Sequence, residues 1–456
     1  MFGLKKAPFN GKSKTVRFVF DKFALNKKTA SGASVLFARS SQNCDCRDGA
    51  ITTGLGLEVY RQDGVATLAY SGDTVRRFIV ADNGETLDAL PAVTLYCLTE
   101  SGKLYSYNTS SRTYVYETAP SKNARLSVMA AENGERRGVL SAEGGFYMRS
   151  DGTWSKTAMA NANGTMCVCK DRAFFGLTKA TVAYTAPSAP WIYLSTVDDG
   201  GKIRLAYDFG EIVGLISFEN RVYVFHEFGV TRMDVEGAPA DFKVQPLDYA
   251  GGEIYGGSVG VCGNAIFFLA ADGAYRFDGK YFNRVDAGIS ILPSSTVKEC
   301  AWAVCGEKYV LQYTDIYGEN RGAAIAADGK SGYFVSVREG LSFSAGMGLC
   351  KSDGYVYRLS ESGSLGGGES YRFVTDKTNF GVFGKKTLKK LRFEGEGSVH
   401  VYAYGDKLLK NEMLHFENGV AEMHLRAVGE EFYFDFYLNQ GARIRRMTAE
   451  FSVPVS

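Results

Sequence analysis

Residues 273–282, GAYRFDGKYF, decide the reading of the fold. Two Asp-Gly pairs, Asp272-Gly273 and Asp278-Gly279, frame them, and Asp-Gly readily takes the positive φ angles of a type I′ hairpin turn. Between the pairs, Tyr275 and Phe277 alternate with Ala274 and Arg276, the period of 2 that sends successive strand side chains to opposite faces. Just upstream, residues 265–270 (AIFFLA) are wholly apolar, as suits a strand buried on both faces. The unit is a β-meander.

The unit recurs. Gly102 opens GKLYSYN, Gly145 opens GFYMRSDG, Gly229 opens GVTRMD and Gly354 opens GYVYRL. Neighbouring copies lie about 42 residues apart or about twice that, which is the period of a β-propeller blade. The doubled intervals predict degenerate copies near residues 173–184 (AFFGLTKATVAY) and near residues 309–335. The cleanest blade after the opening one spans residues 211–235: EIVGLISF, a turn at Glu219-Asn220, RVYVFHE, a turn at Phe228-Gly229, and VTRMDV. The sequence therefore predicts an all-β protein built on a propeller of about seven blades, or six if insertions fill the silent positions.

Composition agrees with that class. The chain has 456 residues, with 53 Gly, 27 Tyr and 30 Phe but only 9 Pro, which suits a turn-rich, aromatic-packed β protein. A formal net charge of +2 gives no global field that would point to nucleic acid or an anionic membrane. No apolar run approaches a membrane span of about 20 residues, and the N-terminus has no apolar signal core. The expectation is a soluble protein made in a cytoplasm. Nine cysteines is an odd count, and Cys97, Cys262, Cys300, Cys305 and Cys350 sit in apolar strands, which predicts free buried thiols. The pairs Cys44/Cys46 and Cys167/Cys169 are closer than the usual Cys-x2–4-Cys of zinc sites, and the four histidines are not spaced as partners, so no metal is expected.

The ends of the chain depart from the repeat. Residues 1–28 hold Lys5, Lys6, Lys12, Lys14, Arg17, Lys22, Lys27 and Lys28 against the single acid Asp21, and VRFVF at residues 16–20 alternates like a strand. This basic arm is expected to dock on an acidic partner. Residues 33–60 read as two strands around a polar turn that close the ring, since a propeller leaves open edges unless its ends overlap. The propeller, ring-closing strands included, is assigned to residues 29–360. ESGSLGGGES at residues 361–370 reads as a Gly/Ser linker or long turn. Residues 371–456 are expected to form a small antiparallel β-sandwich-like domain, with Phe432, Phe434, Phe436 and Leu438 on one strand face. It is led in by Lys385, Lys386, Lys389 and Lys390, which join Lys5, Lys6, Lys12 and Lys14 as the candidate partner-binding residues.

Catalytic patterns are sparse. SDGTW at residues 150–154 is a compressed, single copy of an Asp-box string and reads as the second turn of a blade with Trp154 packed beneath it. There is no Gly-x-Ser-x-Gly elbow and no phosphate loop. His226, His400, His415 and His424 read as structural or surface residues. The carboxylates Asp151, Asp234, Asp272, Asp278 and Asp353 already have a turn-forming role, and no pair stands out for glycoside hydrolysis. No catalytic residue, cofactor or metal is assigned.

Three stretches carry a resemblance: NCDCRDGAITTGLGL, GEIVGLISFENRVYVFHEFGVTRMD and GGEIYGGSVGVCGNAIFFLAADGAYRFDG. They resemble the β-propeller proteins of phage tails, of the hub, nozzle or DNA-stabilisation type in short-tailed phages. The likeness covers roughly residues 33–359, and KKLRFEGEGSVHVYAYGD at residues 389–406 is similar to the strand-rich C-terminal additions of that family. The resemblance implies a non-enzymatic virion protein in a homo-oligomeric ring, held by portal or adaptor proteins, lining or closing the DNA exit channel. DNA would be a partner only in passing. The alternative is a carbohydrate-binding or glycan-cleaving propeller in a receptor-binding role.

Overall fold

The computed structural model describes residues 13–25, 34–82, 93–130, 136–150, 152–178, 180–193, 199–285, 287–337, 339–344, 347–361 and 370–454. Glu219 and Asn220 both take left-handed φ, 49° and 59°, so Ile212–Phe218 and Arg221–His226 are joined by the turn whose twist matches paired strands. Val230–Asp234 and Lys243–Leu247 complete a four-stranded antiparallel sheet. The next sheet, Ile254–Cys262, Ala265–Ala270, Gly273–Phe277 and Phe282–Arg284, contains the stretch quoted first.

Its two Asp-Gly turns differ from expectation. Ala270 pairs with Gly273, so Ala271 and Asp272 are the turn residues, and neither is left-handed. At the second turn only Gly279 has positive φ, 91°. The aspartates act through their carboxylates instead. Asp272 accepts the Gly252 N–H at 2.9 Å and the Tyr275 hydroxyl at 2.5 Å, and Asp278 accepts the N–H groups of Lys280 and Tyr281 at 3.0 and 2.8 Å. A carboxylate that caps nearby polar groups stabilises a turn in which the aspartate itself keeps a negative φ.

Seven antiparallel sheets, six of them four-stranded, form a ring among the described residues. The first is Val75–Asp82, Val93–Thr99, Leu104–Asn108 and Thr113–Thr118. In the second, Arg125–Ala130 pairs with the first half of Arg136–Ser150, whose second half pairs with the start of Thr153–Cys169. The end of Thr153–Cys169 opens the third, with Arg172–Leu177, Thr181–Ala186 and Gly201–Arg204. The two sheets already described are the fourth and fifth. Cys300–Cys305, Lys308–Thr314, Asn320–Ala326 and Gly332–Val335 form the sixth. Glu339–Ser344, Met347–Ser352 and Tyr355–Ser360 form the seventh, whose outer strand is Gly56–Val59 from the N-terminal region. The third and sixth sheets occupy the silent positions of the repeat. The fold is a β-propeller closed by an N-terminal strand.

Blades pack through aromatic faces. Phe225 meets Phe268 and Tyr223 meets Phe277 between the fourth and fifth blades, and Phe267 stacks on Tyr309 between the fifth and sixth, with centroids 5.1–5.4 Å apart. Every residue of AIFFLA is buried, and each such large side chain contributes roughly 1.5–3 kcal/mol by leaving water. Near the axis space is short. A Cβ on Gly256 would sit 1.9 Å from the Val213 carbonyl oxygen and one on Gly260 2.3 Å from the Trp302 ring, so the inner strands approach closely only because these positions lack side chains.

The remaining strands build a sandwich on the sixth blade, from both ends of the chain. One sheet holds Val420–Gly429, Lys386–Glu396, Arg443–Pro454, Ala50–Thr53 and Cys44–Arg47, with Ser13–Phe20 also pairing Arg443–Pro454. The other runs from Gly332–Val335 of the sixth blade through Val35–Gln42, Tyr371–Thr375, Tyr433–Leu438 and Ser398–Tyr404 to Leu408–His415. Phe432, Phe434, Phe436 and Leu438 are all buried, as their alternation predicts.

Two boundaries move. Residues 13–25 belong to the sandwich and not to a separate arm, because the apolar face of the alternating strand needs cover: Phe20 is buried and lies 6.1 Å from Phe380. Of residues 33–60, only Gly56–Val59 closes the ring, while Val35–Gln42, Cys44–Arg47 and Ala50–Thr53 enter the sandwich. The linker expected at residues 361–370 falls almost wholly outside the described residues.

Candidate functional site

Five of the eight candidate partner-binding lysines are described, and their surroundings differ. Lys5, Lys6 and Lys12 lie outside the described residues. Lys14 is exposed on the strand Ser13–Phe20, and Lys385 is exposed just before Lys386–Glu396. Lys386 is buried, with Nζ donating to the Glu430 carbonyl at 2.5 Å, and burial lowers its pKa. It is a structural residue, because the inward face of its strand turns it into the sheet edge. Lys389 donates to Thr15 Oγ1 at 3.4 Å, and Lys390 pairs with Glu422 at 2.7 Å.

The stretch NCDCRDGAITTGLGL forms the junction between sandwich and propeller. Asn43 is fully buried with φ 55°. Its amide donates to Ser336 Oγ and to the Ser370 carbonyl, both at 3.0 Å, and its Oδ1 accepts the Ser336 N–H at 2.9 Å. Asp45 receives Lys308 Nζ of the sixth blade at 2.9 Å and Arg47 Nε at 3.3 Å, with Asp45 and Lys308 both largely buried. The Tyr333 hydroxyl accepts the Leu55 N–H at 3.0 Å. Gly54 is required beside it, since a Cβ there would stand 2.7 Å from the Tyr333 ring.

The inner strands of the propeller enclose a cavity of about 1000 Å³, at the upper end of the range for small-molecule sites. At the mouth where the inner strands begin, Arg76 and Arg77 come from the first blade, Arg125 from the second, and Glu299 and Cys300 from the sixth. Glu299 reaches Arg76 at 3.3 Å and Lys122 at 3.9 Å, and Arg76 also meets Glu100 at 3.2 Å. Burial, followed by the neighbouring Arg125 and Arg76 charges, pushes the Arg77 guanidinium well below its ordinary pKa. Burial also lowers Arg125, to about 10. The Cys300 thiol is raised to about 12, because burial outweighs the nearby arginines. Sequence reasoning missed these arginines. The signal was present as a basic residue at the start of VRRFIV and again at the start of RLSVMA, but it becomes visible only once the blade register is known.

The other chemical candidates have structural partners. His226 is buried, with Nδ1 3.4 Å from the Gly210 carbonyl and Nε2 3.2 Å from Thr231 Oγ1, and burial lowers its pKa. Trp154 of SDGTW donates to Glu117 Oε2 at 3.1 Å, and Arg149 reaches the same carboxylate at 3.5 Å, tying the first blade to the second. Asp151 lies outside the described residues. All nine cysteines are free thiols, and burial raises Cys44, Cys46 and Cys167 well above the usual range. Among the described residues no group of three or more His, Cys, Asp or Glu is placed to hold a metal ion, and no helix is long and apolar enough to cross a membrane.

No protein-family model matches the chain, and no curated protein matches it. Solved structures do. Virginiamycin B lyase from Staphylococcus aureus is similar at 11% identity, with 67% of this chain and 99% of that one covered and a TM-score of 0.45. BBS1N, solved in complex with ARL6DN, has 9% identity over 66% of this chain and 96% of its own, with a TM-score of 0.43. The WD40 repeats of RRP9 have 8% identity, coverage of 66% and 99%, and a TM-score of 0.39. At such identities and TM-scores these likenesses say nothing of what the chain does, and the propeller fold stands on the sheets themselves.

Proposed function

We propose that this chain is a structural, non-catalytic protein of a phage tail, of the hub, nozzle or DNA-stabilisation kind, and acts as one copy in a ring that forms or closes the DNA exit channel below the portal. The observation that carries the reading is the junction. A conduit component must transmit load without changing shape, and here both ends of the chain are woven into a sandwich that continues the sixth blade. Asn43, Asp45 and Tyr333 lock the two together through buried hydrogen bonds and an ion pair. Buried and fully engaged polar contacts of this kind favour one arrangement over a hinged pair of domains. The residue-level likeness in NCDCRDGAITTGLGL concerns this same junction.

Attachment to portal or adaptor proteins is assigned to the sandwich and to the basic residues before it. Ser13–Phe20 has one edge paired to Arg443–Pro454, and Lys14 and Arg17 stand exposed along it. Charged residues on an edge strand discourage unspecific strand pairing and favour an acidic partner. The test is incorporation. The chain lacking residues 1–14 is added, beside the full chain, to particles that lack this protein, and particle-bound protein is measured against salt. The expected result is a folded chain that fails to incorporate. Equal incorporation of both overturns the role of the arm. A full chain that stays off particles and cleaves a glycan overturns the tail reading.

A further inference from the structure

We propose that the channel mouth at the start of the inner strands is a binding site for a small multivalent oxyanion, gripped by Arg77 and Arg125. Three guanidinium groups from two adjacent blades line one end of the cavity. Among the described residues the one carboxylate lining it, Glu299, is engaged by Arg76 and Lys122, and Arg76 is further held by Glu100. Among the described residues no hydrogen bond or ion pair engages the guanidinium of Arg77 or of Arg125. Two cations are thus held near each other, partly out of water, with nothing of opposite charge fixed between them.

That arrangement is costly without a ligand. Desolvation and like charge both disfavour the ionised form, and both guanidinium groups respond by dropping below their ordinary range. An oxyanion between them reverses the cost, because the planar guanidinium fork matches the oxygen spacing of a phosphate or carboxylate and bonds it in pairs. A ligand with two or more negative charges answers both arginines at once. The cavity, about 1000 Å³, admits such a ligand whole. Arg136 and Lys170 also line the cavity, so its lining is basic beyond the Arg77–Arg125 pair. The site stands apart from the sandwich junction and does not depend on the tail reading.

The test is calorimetric titration of the full chain with pyrophosphate and with citrate at matched ionic strength, repeated on Arg77→Gln and Arg125→Gln. Saturable binding is expected for the parent, weakened about 10- to 100-fold by either substitution, the loss of one charge-assisted contact. Tighter binding of pyrophosphate assigns the site to phosphate-bearing ligands, and tighter binding of citrate assigns it to polycarboxylates. Without ligand, Arg77→Gln is expected to melt at or above the parent, since it removes an uncompensated cation. No binding of either probe overturns the proposal, and so does binding that both substitutions leave unchanged. A fall in the unliganded melting temperature of Arg77→Gln also overturns it, by making the arginine structural.

Discussion

The fourth blade and the sandwich are both antiparallel sheet, yet they are assembled from very different distances along the chain. Arg221 reaches Asp234 across 13 residues within the blade, whereas Arg17 reaches Glu450 across 433 within the sandwich. On a logarithmic loop-closure cost the longer contact is dearer by about 3 kcal/mol. The blade can form as a local meander. The sandwich forms only when the last strand, Arg443–Pro454, is available to both Lys386–Glu396 and Ser13–Phe20, so long-range packing must supply what local pairing cannot. Its core does so: Phe23, Phe373, Phe393 and Phe436 meet across the two sheets, in one cluster with Tyr333 and Val310 of the sixth blade. Distance in sequence, more than strand type, separates the two regions.

A substitution at the shared core gives the sharpest break. Tyr333→Ala removes a fully buried ring and the acceptor for the Leu55 N–H, and is expected to cost about 3–5 kcal/mol. Because the core is continuous, sandwich and sixth blade should lose hydrogen-exchange protection together in urea. Loss confined to the sandwich would mean that the two are separate units. Next comes Lys308→Ala, which leaves the buried Asp45 carboxylate with the Cys46 N–H and, among the described residues, Arg47 as its remaining cation. The expected cost is about 2–3 kcal/mol, and the double change Asp45→Asn with Lys308→Met should cost less than Lys308→Ala alone. If the double change costs more, the ion pair itself, and not relief of an unpaired charge, stabilises the junction.

What the sequence made legible follows the same division. The period near Gly102, Gly145, Gly229, Gly273 and Gly354 identified the propeller and its blade number, because each blade repeats short-range turn chemistry. Strict alternation at Phe432, Phe434, Phe436 and Leu438 identified the buried face of the last domain. Pairing between the two ends was not legible. VRFVF at residues 16–20 has the pattern of a strand, but nothing local says that its partner is Arg443–Pro454. Lys386 was misread for a related reason: in a run of four lysines, only the strand register decides which one turns inward. The channel arginines escaped notice because Arg77 and Arg125 converge through the ring, not through any spacing in the chain.

A smaller contrast lies within the sheets. Arg372 donates to Asp435 from Nε at 3.0 and 3.1 Å and from Nη2 at 2.7 Å, and the carboxylate is buried although the arginine is 45% exposed. Arg372→Ala should cost about 1–2 kcal/mol by leaving that carboxylate unpaired. In the blade, Arg221 and Asp234 pair at 2.8 Å with both side chains substantially exposed, so Arg221→Ala should cost roughly 0.2–1 kcal/mol. Urea midpoints of the two variants decide the order. Equal costs would show that burial of the acceptor carries no weight here.

The smallest effect expected is a pH dependence localised to the fourth blade. His226 is buried between the Gly210 carbonyl and Thr231, and burial holds its pKa below the ordinary value of about 6.5. The neutral ring is therefore the folded form, and below about pH 6.5 the unfolded chain binds a proton that the folded chain refuses. Stability from this group is complete above that pH and declines as pH falls toward the depressed folded value. His226→Gln keeps a polar group between the same two partners but cannot titrate, so its stability curve should be flatter over that window. Subtracting the two curves removes the carboxylates, which titrate in both proteins. A parent and variant that lose stability in parallel between neutral pH and pH 5 would place the neutral histidine outside the energetics of the blade.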